Sequence, residues 1–217
     1  MADSLRPSDV AALRFRELRK RRDLTVQQVV DALKDLGMTE LTTSVITNLE
    51  LGRRDGSGRR RMTLEELIAL AYVLDVPPLE LLAPLGQDIK VTILPSLEVE
   101  PYELRNWLTG TGRLENRPTP DNPEDLRFWT VTSEPIRLHD RFTEASKTLH
   151  QADLEKRTAE KIGDPQRIQT TRTTYADALQ VWAEALNRIH AAGMKPPTYA
   201  PKWIEDAIDF GFLNAQG

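Results

Sequence analysis

Residues 24 to 52 read LTVQQVVDALKDLGMTELTTSVITNLELG, and the spacing of their apolar positions decides the fold of the first part of the chain. Thr25 stands where a side-chain oxygen caps a helix. Val26, Val29, Val30, Leu33 and Leu36 then recur on one helical face, and Gly37 occupies the position that ends it. After the connection Met38 to Leu41, Thr42 offers a second cap for a helix running to Leu51 and stopped by Gly52. Ile46 and Leu49, with Val45 in part, anchor it from behind. The succession is helix, turn, helix. Thr43, Ser44, Thr47 and Asn48 are left outside, and small polar side chains on an anchored short helix suit entry into a DNA major groove.

Outward from this core, residues 9 to 22 place Val10, Leu13, Phe15 and Leu18 at helical spacing, with Ser8 available as a cap after Pro7. Downstream, Arg53 to Met62 carries five arginines around Gly56, Ser57 and Gly58 and reads as a flexible basic loop. Thr63 and Glu66 form a capping box for a helix through Leu64, Leu67, Ile68, Ala71 and Leu74. A short helix, Leu79 to Leu82, follows Pro77-Pro78 and is closed by Pro84. The expected fold is mainly α, with a five-helix domain over 1–85.

Three motifs in order, LTVQQVVDAL, SVITNLELGRR and MTLEELIALAYVLDVPPLELL, resemble the Xre, or Cro/C1-type, family of helix-turn-helix regulators over about residues 10 to 83. The resemblance implies a domain that binds double-stranded DNA. Thr42 would cap the recognition helix, Thr43, Ser44, Thr47 and Asn48 would read base edges, and Val45 would touch a thymine methyl. Arg53 and Arg54 match the phosphate-contacting tail of the family. Glu50 matches a glutamate that pairs with an arginine of the first helix, for which Arg19 is the best-placed candidate. Two departures stand out. The connection between the second and third helices is longer than in the shortest members, and Val26 replaces a backbone-touching glutamine. That second change moves the expected helix-two contact to Gln27 or Gln28, unless these are simply exposed helix residues. The arginines of 53–61 can add phosphate contacts or reach a minor groove.

Beyond Gly86 the signals thin. Ile89, Val91 and Ile93 alternate as one short strand, Pro101 to Leu108 makes a helical turn with Trp107, and 109–125 is rich in Pro and Gly. The stretch 86–135 therefore reads as an irregular connection. From about Ile136, Phe142, Ala145, Leu149 and Ala152, then Ile168, Tyr175, Leu179, Trp182, Leu186 and Ile189, mark two helices joined at Gly163-Asp164-Pro165. The apolar tail from Trp203 to Leu213 should pack on this hairpin or on a second subunit. Residues 136–217 are thus a helical dimerisation or sensing region.

Composition sets the bounds. The chain has no Cys, excluding disulfides, a thiol nucleophile and Cys-ligated zinc. No secretory leader or span of roughly 20 apolar residues is evident, so a soluble cytoplasmic protein is expected. Through Pro84 Lys and Arg balance Asp and Glu at 13 each, leaving 16 against 20 for the rest. The acidity is therefore C-terminal, while the N-terminal arginines bunch at 14–22 and 53–61. His139, His150 and His190 have no partner at i,i+4, and no metal site or cofactor is expected. Glu144, Glu155, Glu160 and Glu184 lie among Arg and Lys as ordinary surface pairs. The four Trp read as core or interface anchors rather than a ligand cage. No phosphate loop or nucleophile elbow is present, so an enzyme is not expected.

The leading expectation is a DNA-binding transcription regulator, a homodimeric repressor reading a two-fold operator. Its C-terminal region would be open to a protein or small-molecule effector. With around six phosphates neutralised per dimer, affinity would fall about three decades from low to moderate salt. The other reading is an adaptor or antitoxin whose C-terminal helices hold a protein partner, motivated by a C-terminal part larger than dimerisation requires.

Overall fold

The computed structural model describes residues 5–51, 61–114 and 123–214 in full and 54–55 and 58–59 by their backbone. The chain is mainly α and divides into two compact units, residues 1–118 and 119–217. Among the described residues no helix is long and apolar enough to cross a membrane.

The first unit opens with α1 (Pro7–Arg21) and α2 (Val26–Asp35). Ser8 does not cap α1: the helix starts at Pro7, two residues before the expected start, and Pro7 stands in the first turn, where its missing N–H and preset φ cost nothing. Thr25 closes a full capping box with Gln28, and Gly37 leaves the helix at φ 87. In α3 (Thr43–Leu51) Ile46 and Leu49 are buried, and the Val45 amide donates to the Thr42 hydroxyl across 3.4 Å. The stretch expected to be a loop contains an antiparallel pair, β1 (Arg54–Asp55) and β2 (Gly58–Arg59), with Arg54 opposite Arg59. Thr63 and Glu66 cap α4 (Leu64–Val73) reciprocally, and α5 (Pro78–Leu82) follows. Phe15, Val29, Leu33, Leu41, Ile46, Leu70 and Leu74 meet in one core that fixes α3 from behind.

The domain boundary expected at residue 85 is not where the first unit ends. β3 (Val91–Leu94) pairs with β4 (Leu97–Val99), Thr92 donates its amide to the Leu5 carbonyl, and α6 (Pro101–Leu108) packs beneath. Val91, Val99, Leu104 and Leu114 join Val10 and Ala83 in a second small core. The single expected strand is thus a hairpin sewn to the back of α1. Its second strand, three residues long, was too short to show an alternation.

The second unit is a helical hairpin of α7 (Pro123–Ile162, 40 residues) and α8 (Pro165–Ala191), with α9 (Pro201–Asp209) laid on α8. Helix α7 begins thirteen residues before the expected Ile136 and runs through Pro135. A proline removes one helical hydrogen bond and crowds the preceding turn. Local side chains support that turn: the Ser133 hydroxyl donates to the Trp129 carbonyl across 2.7 Å, and Arg137 Nη2 to the Thr130 carbonyl across 2.7 Å. Gly163, at φ 80, makes the turn, and the Asp164 carboxylate caps α8 at the amides of Gln166 and Arg167. Phe142, Leu149, Tyr175, Leu179, Trp182 and Leu186 form the core.

The apolar tail packs on this hairpin through Tyr199 and Trp203, whose rings meet Trp182 edge-on at 5.3 and 5.7 Å. A polar clamp accompanies it. The buried Tyr175 hydroxyl donates to Asp206, Lys202 reaches the same carboxylate at 2.9 Å, and the Lys156 ammonium lies 3.8 Å over the Tyr175 ring. Burial alone would raise the Asp206 carboxyl, but hydrogen bonds from Tyr175 and Lys202 outweigh it and hold the group below its ordinary value of 3.8. A carboxylate depressed in the folded state contributes stability above its unfolded pKa, and that contribution is lost as pH falls through the folded one. The second unit should therefore lose thermal stability below about pH 4, and Asp206→Asn should flatten that part of the profile. Parallel melts of the two proteins across this range test it; identical profiles would rule the clamp out.

Candidate nucleic-acid interface

The outward face of α3 is small, polar and uncharged. Thr43 and Ser44 are exposed, Val45, Thr47 and Asn48 are half-buried, and Thr42 caps the helix beneath them. The helix turns this face out because Ile46 and Leu49 take the opposite side into the core. Glu50, the one charged residue of α3, is 7% exposed and engaged with Arg19, itself 8% exposed.

That pair is bidentate. Arg19 Nε donates to Glu50 Oε1 at 2.5 Å and Nη2 to Oε2 at 2.8 Å, while Nη1 donates to the Leu24 carbonyl at 2.5 Å. One guanidinium therefore ties α1, the α1–α2 turn and α3 together. The Glu50 hydrogen bonds hold Arg19 above its already high pKa despite burial, so the guanidinium stays charged.

The two glutamines of α2 separate into different tasks. The Gln28 carbonyl oxygen accepts from the Thr25 amide at 2.8 Å, which commits it to the helix cap. Gln27 instead accepts from the Thr43 hydroxyl at 2.9 Å and donates to Asp31 at 2.8 Å. Gln27 and Thr43 thus form one exposed polar ridge linking the start of α2 to the start of α3, a contact with no signature in local periodicity.

Most of the basic bunch at 14–22 is engaged by partners within the chain, and Arg14 and Arg19 are buried. Arg14 bridges Glu17 at 2.7 Å and also pairs with Glu80 of α5, and Arg21 reaches Glu17 at 2.6 Å. Arg14 above all holds the Glu17 carboxyl below its ordinary range. Arg22 donates to the Leu74 carbonyl at the end of α4. Arg14, Arg19 and Arg22 hold helices to one another, and Arg16, Lys20 and Arg22 make no ion pair among the described residues. The cations left for a polyanion are therefore fewer than the sequence suggests. Arg54 lies in β1 and Arg53 outside the described residues. Arg61 is exposed and lines a groove with Arg6, Ser8 and Thr92, a grouping that sequence order conceals.

No family model, curated protein or solved structure matches this chain. The likeness to helix-turn-helix regulators rests on its own residues. Among the described residues no group of three or more His, Asp or Glu could hold a metal ion.

Proposed function

We propose that this protein is a cytoplasmic, sequence-specific DNA-binding transcription regulator, a homodimeric repressor that sets α3 in the major groove. The observation that carries the reading is the α3 face. Thr43, Ser44, Thr47 and Asn48 lie on the outer side of a helix whose inner side is fixed by Ile46, Leu49 and the buried Arg19–Glu50 pair. A reader must hold its donors and acceptors to a fixed pose before base edges can be told apart. Here two independent devices, a core and an ion pair, supply that rigidity to a face with no catalytic group. Gln27 extends the face toward the phosphate backbone, and Arg53 and Arg54 are assigned to the backbone beyond it. None of the helix residues is arginine, so the strongest guanine contact is missing. Discrimination per half-site is modest, and two half-sites about 34 Å apart on one duplex face make up the difference.

Selection of bound duplexes from a random pool at moderate salt tests the reading. A two-fold symmetric site should be enriched. Asn48→Ala should relax its preferred bases, whereas Arg53→Ala should weaken all duplexes alike and lower the salt slope by about one. Equal effects of the two variants would show that the reading face lies elsewhere. A folded protein that retains no duplex at low salt would reject the proposal.

A further inference from the structure

Helix α4 turns apolar side chains to two sides. Leu67, Leu70, Ala71 and Leu74 enter the core of the first unit, whereas Leu64, Ile68 and Tyr72, spaced by four, form a row 65%, 51% and 72% exposed. The periodicity of the sequence groups Leu64 and Ile68 with the core, and the fold leaves them outside it. A surface helix ordinarily shows polar residues to water, as α2 does with Gln27, Gln28, Asp31 and Lys34. The charged residues of α4 are Glu65 and Glu66, and Glu66 is buried and spent on the cap. A contiguous apolar row of this kind marks an association surface.

The row is symmetric about Ile68. Leu64 and Tyr72 lie four positions to either side of it, exposed Arg61 and Asp75 lie seven, and Glu65 is the remaining charge of this face. Arg61 precedes the helix and Asp75 follows it, so each stands at the end where the helix charge has its own sign. Neither makes an ion pair among the described residues.

We infer that this face is covered by the same face of a second copy, the two α4 helices running antiparallel about a two-fold axis at Ile68. Ile68 then meets the partner's Ile68, Leu64 meets the partner's Tyr72, and Arg61 meets the partner's Asp75 twice over. An isologous contact requires this reciprocity. Each Arg61 thereby comes to the end of the partner helix that favours a cation, and each Asp75 to the end that favours an anion. Glu65 comes level with the partner's Tyr72, whose hydroxyl can donate to it. The two Glu65 stay roughly 9 Å apart along the helices, a distance at which exposed like charges are largely screened. Three apolar side chains from each copy and two ion pairs make a small interface, weak in the free protein and tightened on a duplex that carries two half-sites. The inference deepens the regulator reading and rests on it for its purpose, since one recognition helix reads only one half-site.

The chain has no cysteine, so single cysteines placed in the full protein report which residues meet. Leu64, Ile68 and Tyr72 are exposed, so their variants should fold, and helical circular dichroism confirms it. Helices packed 8–10 Å apart bring facing Cα atoms within about 6 Å, which a disulfide can span. Ile68→Cys should therefore link into a dimer on mild oxidation at least about tenfold faster than Val181→Cys, a position 58% exposed on α8. Leu64→Cys and Tyr72→Cys should each link poorly alone, because the register separates like positions by about 12 Å, and should link to each other when mixed. Sedimentation equilibrium of the parent should show a concentration-dependent dimer that Ile68→Glu weakens about a hundredfold, since two carboxylates then meet at the axis. A parent that stays monomeric at every concentration overturns the inference. So does linking at position 68 no faster than at 181, or equal linking at all three α4 positions. The two readings fail separately: duplex selection without linking at 68 defeats only this contact, and the expected linking in a protein that binds no duplex defeats only the regulator.

Discussion

Glu50→Ala is expected to cost the first unit about 3 kcal/mol, because it strands a buried guanidinium without its counter-charge. Arg19 keeps one bond, to the Leu24 carbonyl, but loses both oxygens that Nε and Nη2 now serve. Amide exchange across 7–51 should then accelerate roughly a hundredfold, since about 1.4 kcal/mol is a factor of ten. Glu50→Gln keeps an acceptor and should cost less. Replacing both partners by aliphatic residues of similar volume should recover most of the loss, because the desolvation of two charges disappears with them. DNA selectivity should nonetheless stay impaired in that double variant if the bidentate geometry sets the angle of α3. An exchange profile for Glu50→Ala that matches the parent would mean that the aliphatic core alone holds the reading helix.

Trp182→Ala should be the most damaging change in the second unit, about 3 to 5 kcal/mol. The indole is fully buried and lies within 6 Å of three other rings, Phe142 at 5.9 Å, Tyr199 at 5.3 Å and Trp203 at 5.7 Å. Each such contact adds about 0.5 to 1.5 kcal/mol beyond the area buried. Its Nε1 also donates to the Ser146 hydroxyl at 3.2 Å. Removing the ring opens a cavity and takes away the surface on which α9 sits, so near-ultraviolet circular dichroism should show a melting temperature lower by about 12 °C or more. Trp182→Phe should fall between. Retention of the Trp203 signal at the parent temperature in Trp182→Ala would show that α9 is held by the Asp206 clamp instead.

What could be read without coordinates was whatever repeats locally. Helices α2, α3 and α4 announce themselves through apolar residues every three or four positions and through Thr25, Thr42 and Thr63 at their starts. Capping and amphipathic burial act over one or two turns, so the relevant partners lie within the same short window. The outer face of α3 followed from the same periodicity, and the Arg19–Glu50 pair from the resemblance of motifs in order. The limits of local reading appear where one residue type serves two ends. The helix expected from about Ile136 starts instead at Pro123 and runs through Pro135, where neighbouring Ser133 and Arg137 bond the carbonyls around it. Arg14 and Arg22 read as surface charge, yet their partners, Glu80 and the Leu74 carbonyl, lie 66 and 52 residues away. The pairing of β3 with β4 and with Leu5 and the ridge from Gln27 to Thr43 are of the same kind. Sequence by itself determined helices α2 to α5 and which way α3 faces, because those depend on neighbours in the chain. Only the tertiary structure decided which arginines are taken up by partners inside the chain, where the first unit ends and which face of the hairpin stays open, because burial and ion pairing join residues the chain keeps far apart.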